Sequence, residues 1–405
     1  MTKHLSAIFI ACLSLGTYAQ GLNGTWKGEL SAGLFRLPVV INITADGCCT
    51  LDSPQQNAKD IPTEVLCLTA DSLHISVPSI GASYSARLQN DTLRGTFVQR
   101  GSSIPLSMTR GVYEAVRPQT PKPPFPYTTE EVTFTNNKAE ATLAGTLCWP
   151  AHADRPPVVL MVTGSGQQNR DEEIMLHKPF AVLSDYLARH GIASLRYDDR
   201  GFGHSVGGDA KNATTLDLAD DAAAGIEWLR SSKRFSQVGI LGHSEGGSIA
   251  FMLGSRQAVD FIVSLAAPGV QGDSLLLAQN KALLGPLAEM MTIESVRVNS
   301  LLSGSAWLRF FIDYNPQPDI AGTTCPVFAL NGSRDRQVVA SQNLTAINSI
   351  LPKNSRNLSK EYPELNHLFQ HCTTGHPDEY GSIEETIAEE VLDDIANWIK
   401  TINSQ

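Results

Sequence analysis

Charge is scarce in this chain. Only 18% of its 405 residues are Asp, Glu, Lys or Arg, and only 7% are aromatic. Basic residues are in deficit, 31 Lys and Arg against 41 Asp and Glu, for a formal net charge of −10. An acidic chain without basic runs argues against nucleic acid and anionic membrane surfaces as partners. Beyond the first 20 residues no apolar run is long enough for a membrane helix. None of the seven cysteines is paired in C-x-x-C spacing, so zinc is not expected, and nothing suggests another metal or a cofactor. No internal repeat is visible.

What is present describes a globular protein. Hydrophobic residues make up 42%, which rules out a mostly disordered or collagen-like chain. The length allows two or three domains with a large core. Residues 1–20 read as a secretory signal peptide. Lys3 and His4 are followed by an apolar stretch from Leu5 to Leu15, then by the small-residue site Thr17-Tyr18-Ala19, and the stretch is too short to span a bilayer. Cys12 suits a lipoprotein site poorly, because Phe9-Ile10-Ala11 precede it. The expectation is export, with periplasmic residence or secretion. Six cysteines then remain: Cys48, Cys49, Cys67, Cys148, Cys325 and Cys372. Six in so long a chain do not make a disulfide scaffold; mostly buried free thiols are expected, allowing one bridge in the N-terminal part.

Residues 21–115 consist of short alternating segments, such as Thr25–Leu30, Pro38–Ile43, Leu73–Val77, Ser83–Leu88 and Thr92–Val98, separated by turn signals such as Asp46-Gly47 and Gln89-Asn90-Asp91. This predicts a small antiparallel β domain, a barrel or sandwich. Trp26, Phe35, Tyr84 and Phe97 would fill its core or form a binding face, with core packing expected. Residues 116–128 hold five prolines within nine positions and read as a stiff interdomain linker. From 129 to 405 strand and helix patterns alternate, which predicts an α/β unit with a mostly parallel sheet covered by helices on both faces. Residues 271–318 interrupt that alternation with apolar helical segments and read as a lid insertion. Leu283, Leu284, Met290, Met291, Trp307, Phe310 and Phe311 would line an acyl pocket or pack the insertion onto the sheet.

The most informative segment runs from Val238 to Ala250. An apolar strand enters Gly242-His243-Ser244-Glu245-Gly246-Gly247 and a small-residue helix follows. This is G-x-S-x-G in a strand–turn–helix setting. So sharp a turn forces Ser244 into a strained conformation and lifts its hydroxyl above the sheet, over a helix N-terminus that favours negative charge. Ser244 is the candidate nucleophile, with the Glu245 amide as an oxyanion donor; His243 is expected to pack beneath the turn. A serine needs a base, and the base needs an orienting acid. Asp335 follows the apolar strand Val327–Asn331 by four residues and is the candidate acid, since Asp313 and Asp319 follow no strand closely. His367 lies after the next strand and before the last helix and is the candidate base; His371 and His376 sit later, in a polar loop. The loop Gly164-Ser165-Gly166 after an early strand would give the second oxyanion donor, from Ser165 or alternatively Gly166. It lacks the Gly-Lys-Ser/Thr of a phosphate-binding loop.

From about residue 130 onward the chain resembles the α/β-hydrolases, and among them the bacterial serine carboxylesterases. Five segments in order carry the resemblance: Gly164-Ser165-Gly166 with Asn169-Arg170-Asp171-Glu172, Arg196-Tyr197-Asp198-Asp199-Arg200-Gly201-Phe202-Gly203, the Ser244 turn, Asn331-Gly332-Ser333-Arg334-Asp335, and Asn366-His367-Leu368-Phe369. The resemblance implies Ser244, Asp335 and His367 as a triad and hydrolysis of small-molecule esters, with Asp198 and Arg200 as structural residues. Arg170 and Asp171 would shape the mouth of the site or form a surface pair. One departure is Gln167, where the family often has proline, which leaves the stiffness of that loop open. The same triad would serve a peptidase, amidase or thioesterase; an inactive binding protein on this scaffold is a reading of another class. Oligomeric state stays open, a dimer included.

Overall fold

A computed structural model describes residues 21–32, 35–56, 58–151 and 153–403. The expected signal peptide, Cys12 included, lies outside the described residues. The chain divides into two units, Met1–Val116 and Arg117–Gln405.

The first unit contains Gly24–Ala32 (β1), Phe35–Ile43 (β2), Cys49–Ser53 (β3), Ala58–Pro62 (β4), Glu64–Leu68 (β5), Ser72–Val77 (β6), Ala82–Gln89 (β7), Thr92–Gln99 (β8) and Ser102–Arg110 (β9). They form one antiparallel sheet in the order β4-β3-β2-β1-β9-β8-β7-β6-β5. A single core gathers Leu51 of β3 and Ile75 of β6, from opposite halves of that order, so the sheet coils upon itself rather than splitting into two layers. Alternation sets the faces: in β6 Leu73, Ile75 and Val77 point inward and the residues between them do not. Trp26, Tyr84 and Phe97 are buried in this core, so they pack the fold instead of forming a face; the side chain of Phe35 is not among those described. Burial requires partners for their polar atoms. Trp26 Nε1 donates to Leu22 O at 2.8 Å, and Tyr84 OH donates to Leu106 O at 3.2 Å. The sequence reading missed β3 and β4. The β4 segment, Ala-Lys-Asp-Ile-Pro, has no apolar alternation because it is an edge strand with little buried.

The second unit opens with Thr128–Asn136 (β10), Ala141–Trp149 (β11) and Val158–Val162 (β12). Pro179–Arg189 (α1), Ala193–Tyr197 (β13), the two-residue Val206–Gly207 (β14) and Thr215–Ser231 (α2) follow. Then come Val238–His243 (β15), Glu245–Ser255 (α3) and Ile262–Leu265 (β16). Four helices stand between β16 and the next strand: Gly272–Leu284 (α4), Ile293–Leu302 (α5), Ala306–Asp313 (α6) and Gln317–Gly322 (α7). Val327–Gly332 (β17), Ala340–Ile350 (α8), Leu358–Tyr362 (β18) and Glu389–Asn403 (α9) complete it. The sheet order is β10-β11-β13-β12-β15-β16-β17-β18, with β14 beside β11. Pairing is parallel from β13 to β18 and antiparallel at β10 and β11. The central strands β12, β15, β16 and β17 are buried at every position, as strands covered on both faces must be. Their two faces pack into separate cores, one receiving α2 and α3 and the other α1 and α9.

The proline-rich segment read as a linker belongs to this second unit from Arg117 onward. The Arg117 guanidinium donates to the carbonyls of Met175, Gly381 and Ile383. Tyr127 OH donates to Asp185 Oδ1 at 2.9 Å. Gln119 Oε1 accepts from the amides of Thr386 and Ile387 at 2.6 and 3.1 Å. Helical pattern in the sequence extends back to Glu384, which would place those two amides in the first turn of the last helix, but the helix begins only at Glu389. All six cysteines of the described residues are free, and only Cys49 and Cys148 are buried, so the expectation of mostly buried thiols holds for those two alone.

Candidate active site

Ser244 is the one residue between β15 and α3. Its φ and ψ of 54° and −118° lie in a region that side chains rarely adopt. The chain tolerates this only because Gly242 and Gly246, two residues to either side, lack side chains. A Cβ on Gly242 would come within 2.0 Å of Gly246 O, and one on Gly246 within 2.1 Å of Val162 O. Glu245 is the first residue of α3, so its N–H has no acceptor within the helix and stays available above the turn.

Asp335 and His367 reach the same end of the sheet from the loops after β17 and β18. His367 Nδ1 donates to Asp335 Oδ2 at 2.7 Å. The other carboxylate oxygen accepts the amides of Gln337 and Val338, each at 2.8 Å. Asp335 is thereby fixed as an acceptor, which puts the His367 proton on Nδ1 and leaves Nε2 as the basic nitrogen. Asn366 tightens the base loop, its Oδ1 accepting from Leu368 N and Gln370 N at 2.9 and 3.0 Å. The competing residues are engaged elsewhere. His371 meets Glu385, His376 meets Asp378, Asp313 pairs with Arg297, and Asp319 accepts from Ser255 and Tyr314.

The loop after β12 is stiffened without proline. Gly164 N donates to Glu172 Oε1 at 2.8 Å, and Gln168 N donates to Asp199 Oδ2 at 2.8 Å. Gln167 itself donates to Arg200 O at 3.0 Å. Burial pushes the Asp199 carboxyl up to about 8, against the hydrogen bonds from Gln168 and Thr163. Gly166 turns the loop with a φ of 93°. Arg170 reaches Asp198, Glu131 and Thr146, and Asp171 pairs with Arg196 and Lys178. Both tie the segment after the loop to the sheet. Arg200 forms a buried pair with Asp221 at 2.6 Å.

A cavity of about 210 Å³ is lined by Ser165, Ser244 and His367 together with apolar side chains of the insertion between β16 and β17, among them Leu275, Leu276, Trp307 and Phe311. Of the seven residues expected in an acyl pocket, only Trp307 and Phe311 line it. Leu284 and Met290 are exposed, Met290 at 94%, while Phe310 packs against the main core. Leu275 and Leu276 were missed because helical period alone does not say which face of α4 meets the cavity. Trp307 and Phe311 stack at 5.1 Å, and Trp307 Nε1 donates to Glu245 Oε1 at 2.7 Å. The same oxygen accepts from Thr215 Oγ1 at 2.5 Å. Burial raises the Glu245 carboxyl above its ordinary range despite these bonds.

His243, beside Ser244, is buried and hydrogen-bonded at both ring nitrogens, to Glu172 Oε1 at 2.9 Å and to His367 O at 3.0 Å. The only sequence signal for Glu172 was its place in the run Asn169–Glu172. Among the described residues no group of three or more His, Cys, Asp or Glu is arranged to hold a metal ion, and no helix is long and apolar enough to cross a membrane.

The family model described as serine aminopeptidase, S33, matches residues 177–306. The esterase EstD of Thermotoga maritima is 26% identical over 285 residues, 64% of this chain. Over that stretch the chain is similar to this esterase. That match spans 65% of EstD's own length. Among solved structures, an esterase of Pyrococcus furiosus covers 72% of this chain and 99% of its own, with a TM-score of 0.48 and 17% identity. The α/β-hydrolase GrgF of a Penicillium species covers 69% of this chain and all of its own, with a TM-score of 0.49 and 14% identity.

Proposed function

We propose that this chain is an α/β-hydrolase that cleaves carboxylic esters through an acyl-enzyme on Ser244. One observation carries the reading: a dyad of Asp335 and His367, closed at 2.7 Å, shares a cavity with a serine held at positive φ. In the first half-reaction Ser244 Oγ attacks the ester carbonyl carbon while His367 Nε2 takes its proton. The C=O electron pair moves onto oxygen, which is received by the Glu245 amide and the Ser165 amide, or that of Gly166. The intermediate collapses, the bond to the alcohol oxygen breaks, and His367 returns the proton to that oxygen. Water, deprotonated by His367, then attacks the acyl carbon and releases the acid with Ser244 restored. Asp335 holds the imidazole and stabilises its positive charge throughout.

The insertion 271–318 serves as a lid whose Leu275, Leu276, Trp307 and Phe311 receive the acyl group. A small apolar cavity suits a short aliphatic or aromatic acyl chain. Hydrolysis of amides or peptides by the same residues is the second reading, favoured by the description of the matching family model. Export, directed by residues 1–20, is proposed with the enzyme acting in the periplasm or outside the cell. The test is a panel of nitrophenyl esters of increasing acyl length and aminoacyl anilides, with wild type and Ser244→Ala. Rapid ester turnover lost in Ser244→Ala supports the proposal; equal rates from both proteins refute it, and turnover of anilides alone selects the second reading.

A further inference from the structure

His243 occupies a position from which one ring reaches all three segments of the site. It directly precedes Ser244, its Nδ1 meets the carboxylate of Glu172, and its Nε2 meets the backbone carbonyl of His367. Glu172 Oε1 also holds Gly164 N, the start of the loop after β12. We infer that Glu172 and His243 form a buried charged clamp, with His243 doubly protonated, that sets the spacing between the oxyanion loop, the nucleophile and the base. The inference rests on the serine-hydrolase reading of the site and adds two positioning residues to it.

The protonation follows from hydrogen-bond chemistry. A carbonyl oxygen only accepts, so Nε2 carries a hydrogen. An ionised carboxylate only accepts, so Nδ1 carries one as well. Neutral imidazole has a single N–H and satisfies one of these two bonds. At exposures of 6% for His243 and 3% for Glu172 the other polar atom, left unpaired, would be costly. Burial alone disfavours the charged ring, but the attraction and hydrogen bond of Glu172 outweigh it, and its pKa lies above the ordinary histidine range. The groups facing the ring are Glu172 from the loop after β12, His367 from the loop after β18, and Asp335 from the loop after β17. The rings of His243 and His367 lie 4.7 Å apart at 43°. Glu172 itself has a φ of 52°, a strained conformation maintained where its carboxylate can reach both Gly164 and His243.

The charge gives the clamp a signature that packing alone would not. As pH rises through the raised pKa of His243, the ring loses one donor and the clamp opens, so turnover falls on the alkaline side. Removing the carboxylate lowers that pKa and moves the alkaline limb to lower pH. The experiment measures nitrophenyl acetate hydrolysis from pH 6 to 10 for wild type, Glu172→Gln and His243→Gln, with ring ¹⁵N shifts of wild-type His243 read by NMR. Expected are a doubly protonated His243 at pH 7, a kcat about 10- to 100-fold lower in Glu172→Gln with KM within about twofold, and an alkaline limb displaced downward by about one pH unit or more. A neutral His243 ring at pH 7 overturns the inference, as does a folded Glu172→Gln protein with unchanged kcat and limb. The NMR measurement stands on the wild-type protein, so it decides the clamp even if a variant does not fold. Absence of ester turnover by wild type would refute the esterase reading instead, without touching the ring's protonation.

Discussion

Ser244 and His367 depend on single atoms placed by their neighbours. His367 keeps its Nε2 free to act as a base because its Nδ1–H donates to Asp335 at 2.7 Å. Asp335→Asn replaces an acceptor with an amide and lets the imidazole adopt the wrong tautomer. Turnover of nitrophenyl acetate is expected to fall roughly 10³- to 10⁴-fold with KM little changed, measured by steady-state kinetics. A folded Asp335→Asn protein within tenfold of wild type would remove Asp335 from the mechanism. Gly242→Ala tests the turn itself. Its Cβ would stand 2.0 Å from Gly246 O, and the obstacle is backbone rather than a movable side chain. A loss of several kcal/mol, about 3 or more, is expected in urea unfolding. At this scale the sequence was legible at Ser244, Asp335 and His367 because each follows a strand end within a few residues. Glu172 was not, since its partner His243 is 71 residues away and no local pattern reports so distant a contact.

Among the elements, α6 has the most direct hold on the site. Its Trp307 stacks on Phe311 and is tethered to Glu245, the residue after Ser244. That tether fixes the aromatic wall of the cavity to the turn that carries Ser244. Trp307→Ala removes the wall and leaves Glu245 with only Thr215 on that oxygen. The ratio of kcat/KM for octanoyl over acetyl nitrophenyl esters is expected to rise about tenfold, since each added methylene gains apolar contact in the enlarged cavity. An unaltered ratio in a stable variant would mean that the acyl chain lies elsewhere. Helical period in Ala306–Asp313 was readable, but the face it presents to the cavity was set by packing against α4 and Glu245. The late start of α9 has the same character. Glu384–Ala388 carries an acceptable helical pattern, yet Gln119 and Phe369 O take the amides of Thr386, Ile387 and Ala388, so tertiary hydrogen bonds override it.

For the molecule as a whole, a buried neutral histidine links folding to pH. His177 is fully buried, its ring bonded to Thr386 Oγ1 and Tyr380 O, and burial, with Arg117 nearby, lowers its pKa to about 4. A histidine with a depressed folded pKa contributes stability above its unfolded value near 6.5, and that contribution is lost as pH falls toward 4. The difference is on the order of 3 kcal/mol. Asp199, pushed up to about 8, works in the opposite direction over the same range, so the measurement compares urea midpoints of wild type and His177→Gln. The variant is expected to lose less stability than wild type between pH 6.5 and 4; parallel losses would contradict the assignment. The sequence by itself determined the α/β alternation, the order of Ser244, Asp335 and His367, the turn glycines and the β-rich N-terminal unit, because burial and strain impose local periods and compositions. Only the tertiary structure decided that Pro-rich residues from Arg117 onward pack into the second unit, that α4 and α6 wall the cavity, and that Glu172 meets His243. Those contacts join segments tens to hundreds of residues apart, where free energy depends on complementary packing in three dimensions and leaves no repeat along the chain.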